Sequence, residues 1–223
     1  MFDYRTLRVP LVVAPMAGGP STPALAAAAT GAGALGFLAA GNLTAARMIA
    51  QLDELHVLGA RVFGLNVFVP AAVNRAEPGI QATAARAAAV DRYRASLRGE
   101  VKRYGVDLGT ADATDTDEWD AKIDRLLSHP VPVVSFTFGL PERAVIDALH
   151  GVGTHVTVTV TSVREAAAST DGGADSLAVQ GPLAGGIGAR TGSAMNPRSS
   201  RSTTCCTRLP RSAICRRSPP AAS

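Results

Sequence analysis

The sequence lacks any long unbroken run of apolar residues, although 47% of its 223 residues are hydrophobic. No segment therefore resembles a membrane-spanning helix, which needs about 20 mostly apolar residues in a row. The first ten residues, MFDYRTLRVP, also lack the basic-then-apolar pattern of a secretion signal. We expect a cytoplasmic protein with no membrane partner, and the length suits one domain with a substantial core.

Acidic residues and lysine are absent from residues 187–223, which contain seven arginines. Because the whole chain has 22 basic and 18 acidic residues, residues 1–186 hold 15 basic against 18 acidic side chains, a net charge of −3. The final segment also has no aromatic side chain for base stacking and no helical or strand periodicity. We therefore expect a disordered tail rather than a nucleic-acid-binding arm.

Cysteine is absent before Cys205, Cys206 and Cys215, and no histidine lies near these three. Their spacing fits no zinc site, so we expect exposed thiols and no metal centre. Elsewhere, no two carboxylates are placed for acid–base catalysis, and no histidine–cysteine cluster has metal-ligand spacing. These absences argue against metal-dependent and carboxylate-pair chemistry.

Up to residue 186 apolar strands alternate with helices, which is typical of a parallel α/β sheet. A charged helical insertion at residues 71–119 interrupts the alternation. An open doubly wound sheet and a (β/α) barrel both fit the count of six strands, and polar or glycine residues at the strands' carboxyl ends favour the barrel. A complete (β/α)8 TIM barrel has eight units over about 250 residues, so the pattern predicts an incomplete one. The predicted strands are Leu11–Ala14, Ala34–Leu38, Arg61–Val69, Val131–Phe136, His155–Val160 and Ser176–Val179.

Candidate binding residues lie at the carboxyl ends of these strands, where α/β proteins bind ligands. Met16, Ala17 and Gly18 follow the first strand, Asn66 lies in the third, and Gln180 follows the sixth. Uncharged amides and glycine backbone suit a heteroaromatic ring better than a metal or a sugar. A buried amide left unpaired costs about 1–3 kcal/mol, so the third-strand amide needs a partner, either a ligand or a neighbouring backbone group.

Five segments, in order, carry a resemblance to a known family: APMAGGPSTPALAAAATGAGALGFL, FGLNVFVP, VVSFTFGLP, VTVTSVREAA and GADSLAVQGPLAGG. They resemble the class I nitronate monooxygenases, formerly called 2-nitropropane dioxygenases, over nearly all of residues 9–186. The resemblance implies an FMN-dependent TIM barrel that oxidises alkyl nitronates with O2 to a carbonyl compound and nitrite. FMN-dependent enoyl reductases, which share the scaffold, are the alternative.

The resemblance also implies roles for individual residues. Two amide side chains would hydrogen-bond the pyrimidine side of the flavin, the loop after the first strand would lie beside the ring, and a glycine pair would approach the ribityl phosphate. In such enzymes the protein supplies orientation and electrostatics, since the flavin carries the electrons. The implied cofactor-binding residues are Met16, Ala17, Gly18, Asn66, Gln180, Gly185 and Gly186.

The histidine that follows the glycine pair in the family's AGGHRG is missing here. Ile187 takes its place, in AGGIGART, so no catalytic residue is assigned to this chain. An imidazole there serves as a base or an anion-binding group because its pKa lies near neutrality. Codons for Ile-Gly-Ala-Arg, read from the last base of the Gly186 codon, can encode His-Arg-Gly-Thr. We hypothesise that one base has been lost near Gly186, that residues 1–186 form a partial barrel, and that residues 187–223 are read out of frame.

An incomplete barrel has physical consequences. It leaves two strand edges and apolar faces exposed, which predicts aggregation or partial folding. A third interpretation is therefore a non-catalytic remnant of the family. Away from the carboxyl ends of the strands, His155 and Asp175 are expected to have structural roles. His150 lies at a helix end, where the dipole favours an imidazolium.

Overall fold

The computed structural model describes residues 2–70, 80–110, 112, 114–181 and 183–184. In these ranges a 3-10 turn at Tyr4–Thr6 precedes six strands and seven helices. The strands are β1 Val12–Val13, β2 Leu35–Ala39, β3 Gly64–Phe68, β4 Val133–Thr137, β5 His155–Val160 and β6 Ser176–Val179. The helices are α1 Pro23–Gly31, α2 Ala45–Val57, α3 Ile80–Ser96, α4 Arg98–Tyr104, α5 Trp119–Ser128, α6 Arg143–Gly151 and α7 Val163–Asp171.

The strands form one parallel sheet in the order β1-β2-β3-β4-β5-β6. A doubly wound sheet reverses its strand order at a switch point, whereas a barrel adds each strand beside the previous one. No reversal occurs among the described strands, which decides between the two alternatives. The predicted fold, an incomplete (β/α)8 barrel with a helical insertion after the third strand, is confirmed. The insertion contributes α3 and α4, and residues 71–79 lie outside the described part.

Strand ends differ from prediction where backbone pairing stops before the apolar run does. β1 is assigned to Val12 and Val13 alone, although the Leu11 carbonyl also accepts the Leu35 backbone amide at 3.0 Å. β3 begins at Gly64 rather than at Arg61, and the Val62 carbonyl accepts a hydrogen bond from the Thr30 hydroxyl instead of joining the sheet. Apolar pattern alone does not locate such ends, because loop residues beside a strand are also apolar.

Three helices begin after a hydroxyl residue whose side chain caps the helix. Thr22 accepts the Leu25 amide at 3.2 Å and precedes Pro23, the first residue of α1. Thr44 caps α2 and Ser162 caps α7 in the same way. Each such cap contributes about 1 kcal/mol by satisfying an amide that has no partner inside the helix.

Alternate residues of each strand face two different cores. One face packs under the helices, where Leu38, Leu65 and Val67 join buried side chains of α2 and α5. The other face carries a smaller cluster of Leu35, Phe37 and Val133, which the N-terminal segment covers with its apolar side chains. The N-terminal segment therefore closes one end of the curved sheet and leaves the carboxyl ends of the strands for a site.

Gly36 lets α1 approach the backbone of β2, and this close packing supports a stability prediction. A Cβ atom on Gly36 would lie 2.3 Å from the carbonyl oxygen of Ala26 and 2.6 Å from its Cα. Gly36→Ala should therefore lower the free energy of unfolding by about 1–3 kcal/mol, as overpacking against backbone does. Gly31→Ala is the control, since a Cβ there meets nothing within 4 Å. Urea unfolding checks the pair, and equal stability of both variants would refute the packing argument.

Candidate functional site

Of the five sequence-predicted residues that the structure describes, four follow the carboxyl end of a strand and one lies in the middle of a strand. Met16, Ala17 and Gly18 follow β1, Asn66 lies in β3, and Gln180 follows β6. Gly185, Gly186 and Ile187 lie outside the described residues. The topology places these candidates in or directly after β1, β3 and β6 of one parallel sheet, and their proposed roles toward a cofactor stay predictions.

The loop after β1 is shaped by a side-chain hydrogen bond and two glycines. The Met16 amide donates to the hydroxyl of buried Ser21 at 2.8 Å, while the Met16 side chain is 41% exposed. Gly18 and Gly19 have φ values of +87° and +120°, which disfavour any other residue. A Cβ at either glycine would meet nothing within 4 Å, so open space lies beside this loop. Glycine is required here for conformation and also leaves the backbone accessible.

Asn66 is buried at 3% exposure and tied to β4 by its amide nitrogen. Nδ2 lies 2.8 Å from the Ser135 hydroxyl oxygen, 2.9 Å from Thr137 Oγ1 and 3.1 Å from the Ser135 carbonyl oxygen. Because a carbonyl can only accept, the group facing β4 is the NH2 of the amide. The requirement for a partner is therefore met inside the protein, by neighbouring backbone and hydroxyl groups.

Hydroxyl side chains continue this polar face across β4, β5 and β6, from Thr137 and Thr159 down to Thr157 and Ser176, the last of which is the first residue of β6. Thr137 Oγ1 lies 3.3 Å from Thr159 Oγ1, and Thr157 Oγ1 lies 2.8 Å from Ser176 Oγ. Thr137 follows from its place after the fourth predicted strand, whereas sequence reasoning missed Thr157, Thr159 and Ser176 as site residues. The available signal was the alternation in VVSFT and HVTVTV, where every second residue is polar and must face the side opposite the helices.

Gln180 continues the same alternation by one step beyond β6. The backbone N–H of Gln180 donates to the backbone carbonyl of Val160 at 2.9 Å, which extends the pairing of β5 with β6. Two residues earlier along the strand is Ala178, and two before that is Ser176, which bonds Thr157 on the hydroxyl face. The period of two therefore places Gln180 on that same face.

Two aromatic rings stand beside the polar surface. Phe68, the last residue of β3, contacts Phe138 edge to face with 4.7 Å between ring centroids. Phe138 follows β4 and has φ +71°, a conformation that is costly for a bulky side chain and is found where surrounding packing enforces it. Gly41 makes room for the first ring, since a Cβ there would lie 2.3 Å from it.

This edge is polar, and the amide and hydroxyl side chains described above carry no charge, whereas the Glu165 carboxylate lies after β5 at the same edge and accepts hydrogen bonds from Thr161. The amide and hydroxyl groups can donate and accept hydrogen bonds to a flat ring, and the pair of phenylalanines supplies an apolar wall. In the described ranges no three His, Cys, Asp or Glu side chains come together as a possible metal site. The arrangement suits binding and orientation of an uncharged heteroaromatic group rather than acid–base catalysis by its own side chains.

The opposite end of the sheet holds a histidine–aspartate cluster. His150 Nε2 lies 2.9 Å from Asp175 Oδ2, and the same oxygen accepts the Val156 amide at 2.7 Å. His155 bonds the Ser176 hydroxyl at 2.9 Å under the rings of Phe2 and Tyr4. Burial lowers the pKa of His155, against the smaller opposing effect of the Asp175 charge. These contacts tie β5 to α6, β6 and the N-terminal segment, which is a structural role.

The lowered pKa of His155 predicts that stability depends on pH. Below about pH 6.5 the unfolded chain binds a proton at this histidine that the folded chain does not, so stability should fall as the pH drops, by at most about 1.4 kcal/mol per unit. Above that range the histidine contributes no pH dependence. Chemical denaturation from pH 8 to pH 5.5 checks this, with His155→Gln as the comparison. An unchanged slope in His155→Gln would show that another group is responsible.

No helix in the described ranges is both long and apolar enough to cross a bilayer. A sequence model of the nitronate monooxygenase family matches residues 4–205. The chain is 28% identical over 193 residues to the "Probable nitronate monooxygenase" of Staphylococcus aureus (strain Newman), covering 86% of this chain and 50% of that protein.

Solved structures also resemble this chain. The nitroalkane oxidase from Streptomyces ansochromogenes superposes with a TM-score of 0.73 at 45% identity, covering 83% of this chain and 50% of that one. FabK from Thermotoga maritima, at 23% identity and a TM-score of 0.51, shares the fold. The chain spans about half the length of the relatives it matches. With nearly the whole chain matched by the family model, the protein belongs to the nitronate monooxygenase family.

Proposed function

We propose that this chain derives from an enzyme that oxidises alkyl nitronates with O2, giving a carbonyl compound and nitrite, with FMN as cofactor. The observation that carries the proposal is the group of uncharged polar side chains formed by Asn66, Ser135, Thr137 and Thr159 in a member of this family. A nitroalkane oxidase at 45% identity supports the reaction class. The proposed partners are a small-molecule nitronate and O2.

The residues present fit the ring end of FMN. The loop Met16–Gly19 would lie beside the ring, where the open space at its glycines leaves room for a planar group. Since the Met16 amide already donates to Ser21, the amides that follow it in this loop would face the ring. Asn66 and Gln180 would hold the pyrimidine side, and Gly185 and Gly186 the ribityl phosphate. FMN, when bound, would accept electrons from the nitronate and pass them to O2.

The described side chains would orient and enclose the flavin ring, and none of them is assigned to move a proton. The hydroxyl side chains would exchange hydrogen bonds with the ring, and Phe68 and Phe138 would shield one side of it from water. The family's histidine, which would hold the nitronate anion or act as a base, is replaced by Ile187. We therefore propose that the 223-residue chain itself has little or no activity.

The experiment uses the frame-restored protein, defined as the product of the gene with one base added near the Gly186 codon so that His-Arg-Gly-Thr follows the glycine pair. It is incubated with FMN and the anion of 2-nitropropane, and O2 uptake and nitrite are measured. Matched O2 uptake and nitrite release support the proposal. NAD(P)H-driven reduction of an enoyl thioester without nitrite would instead assign the enoyl reductase activity and overturn it.

A further inference from the structure

Lys122 is a fully buried lysine that the family resemblance and the sequence pattern leave unexplained. It lies in α5 at 0% exposure, and its Nζ donates to the carbonyl oxygen of Ala40 at 2.9 Å. Asp117 Oδ2 lies 2.8 Å from the same Nζ, as an ion pair outside directed hydrogen-bond geometry. The lysine thus joins the end of the insertion to the residue that follows β2.

Asp117 and Glu118, the two acidic residues before α5, bind the loop between β2 and α2. Asp117 accepts the Asn42 amide at 3.0 Å, and Glu118 accepts the Ala45 amide at 2.7 Å. Ala45 is the first residue of α2, where backbone amides have no partner inside the helix. Both carboxylates therefore act as acceptors for the loop between β2 and α2.

This junction also stores backbone strain. Asn42, Asp117 and Glu118 have φ values of +60°, +57° and +51°. A left-handed conformation costs a residue other than glycine about 1–2 kcal/mol, and it persists only where surrounding contacts enforce it. The lysine and the two carboxylates supply those contacts.

The loop is connected directly to the candidate flavin site. The backbone N–H of Ala40 donates to the backbone carbonyl of Asn66 at 2.8 Å. The backbone of Ala40 is therefore bonded to Lys122 through its carbonyl and to Asn66 through its N–H. Gly41, the next residue, packs on the ring of Phe68. A shift of Ala40 would therefore be transmitted to both an amide and an aromatic wall of the site.

We infer that Lys122 is a positioning residue for the flavin site, fixing the loop Ala40–Ala45 against the end of the insertion. This inference rests on the proposed function. Buried ion pairs contribute little net stability compared with apolar replacements, so global stability alone does not explain this one. Burial raises the pKa of Asp117, and the Lys122 contact opposes this shift.

The first test is amide hydrogen exchange in the 223-residue chain with Lys122→Met. The control is Leu126→Ala, which creates a cavity in the same helix at another fully buried position. In Lys122→Met the amides of Asn42 and Ala45 should exchange faster by about tenfold or more relative to the control. Equal exchange in both variants overturns the inference. If Lys122→Met does not fold, Asp117→Asn keeps the side-chain shape, removes the charge that pairs with Lys122 and gives the same decision.

The second test is FMN titration of the frame-restored protein, followed by flavin fluorescence. Lys122→Met should raise the Kd for FMN by about tenfold or more over Leu126→Ala, because a misplaced wall weakens binding that a remote cavity leaves intact. Equal Kd values overturn the positioning role. Failure of the unsubstituted frame-restored protein to bind FMN would instead count against the proposed function, and the exchange result on the loop would then stand on its own.

Discussion

Replacing Asn66 with leucine should weaken FMN binding by at least about a hundredfold and lower the free energy of unfolding by about 1–3 kcal/mol. Leucine has nearly the shape of asparagine but cannot donate to β4. The Ser135 carbonyl and the hydroxyls of Ser135 and Thr137 would then lose the Nδ2 group that lies within 3.1 Å of all three. The site would also lose the amide proposed to hold the pyrimidine side of the flavin.

The control for Asn66→Leu is Val67→Ala, the next residue of the same strand. Val67 is fully buried but faces the helices, so its truncation costs about 2 kcal/mol of stability without touching the polar edge. Fluorescence titration of the frame-restored protein gives the Kd for FMN, and urea unfolding gives the stability. If both variants weaken FMN binding equally, Asn66 acts through strand stability and not as a ligand.

Alternation of residues predicts which side of a buried strand a residue faces, and the structure agrees in β3, where Val67 packs under the helices and Asn66 faces the other way. Asn66 is the middle residue of β3, and its place between apolar neighbours is visible in FGLNVFVP. Strand order did not follow in this way, since β–α alternation fits an open sheet as well as a barrel. Pairing of β3 with β4 across the insertion is a long-range contact that local sequence does not encode.

Other parts of the site depend on contacts between residues far apart in the chain. Lys122 lies in a helix whose exposed positions include Asp120 and Asp124, and no local pattern distinguishes a buried lysine from an exposed one. Its burial becomes evident only when the Ala40 carbonyl and Asp117 are seen beside it. The same holds for Tyr4, which reaches Thr157 across 153 positions of sequence. Tertiary packing decides these cases, whereas caps such as Thr22 are local and could be predicted.

Sequencing of the gene should show a reading in which His-Arg-Gly-Thr follows Gly186, and the frame-restored protein should exceed the 223-residue chain in nitronate oxidation by on the order of a thousandfold or more. General acid–base or anion-binding help from a histidine is worth about 10²–10⁴ in rate. The neighbouring reading frame would also supply further strands to cover the described sheet. The edge strands of that sheet, β1 and β6, leave Val12 42% and Val179 48% exposed. Open apolar edges promote association, so the frame-restored protein should also be the more soluble and show the more cooperative melt.

Ile187→His in the 223-residue chain separates the histidine from the rest of the altered segment. We expect this variant to remain inactive, because it supplies an imidazole without the sequence that follows His-Arg-Gly-Thr in the neighbouring frame. Activity restored by this substitution alone would mean that the described strands and the existing segment already form a working site. A monomeric, cooperatively melting 223-residue chain with nitrite-producing activity, from a gene without the alternative reading, would overturn the frame hypothesis. The three proteins therefore test separately whether a catalytic group, a closed sheet, or both are lacking.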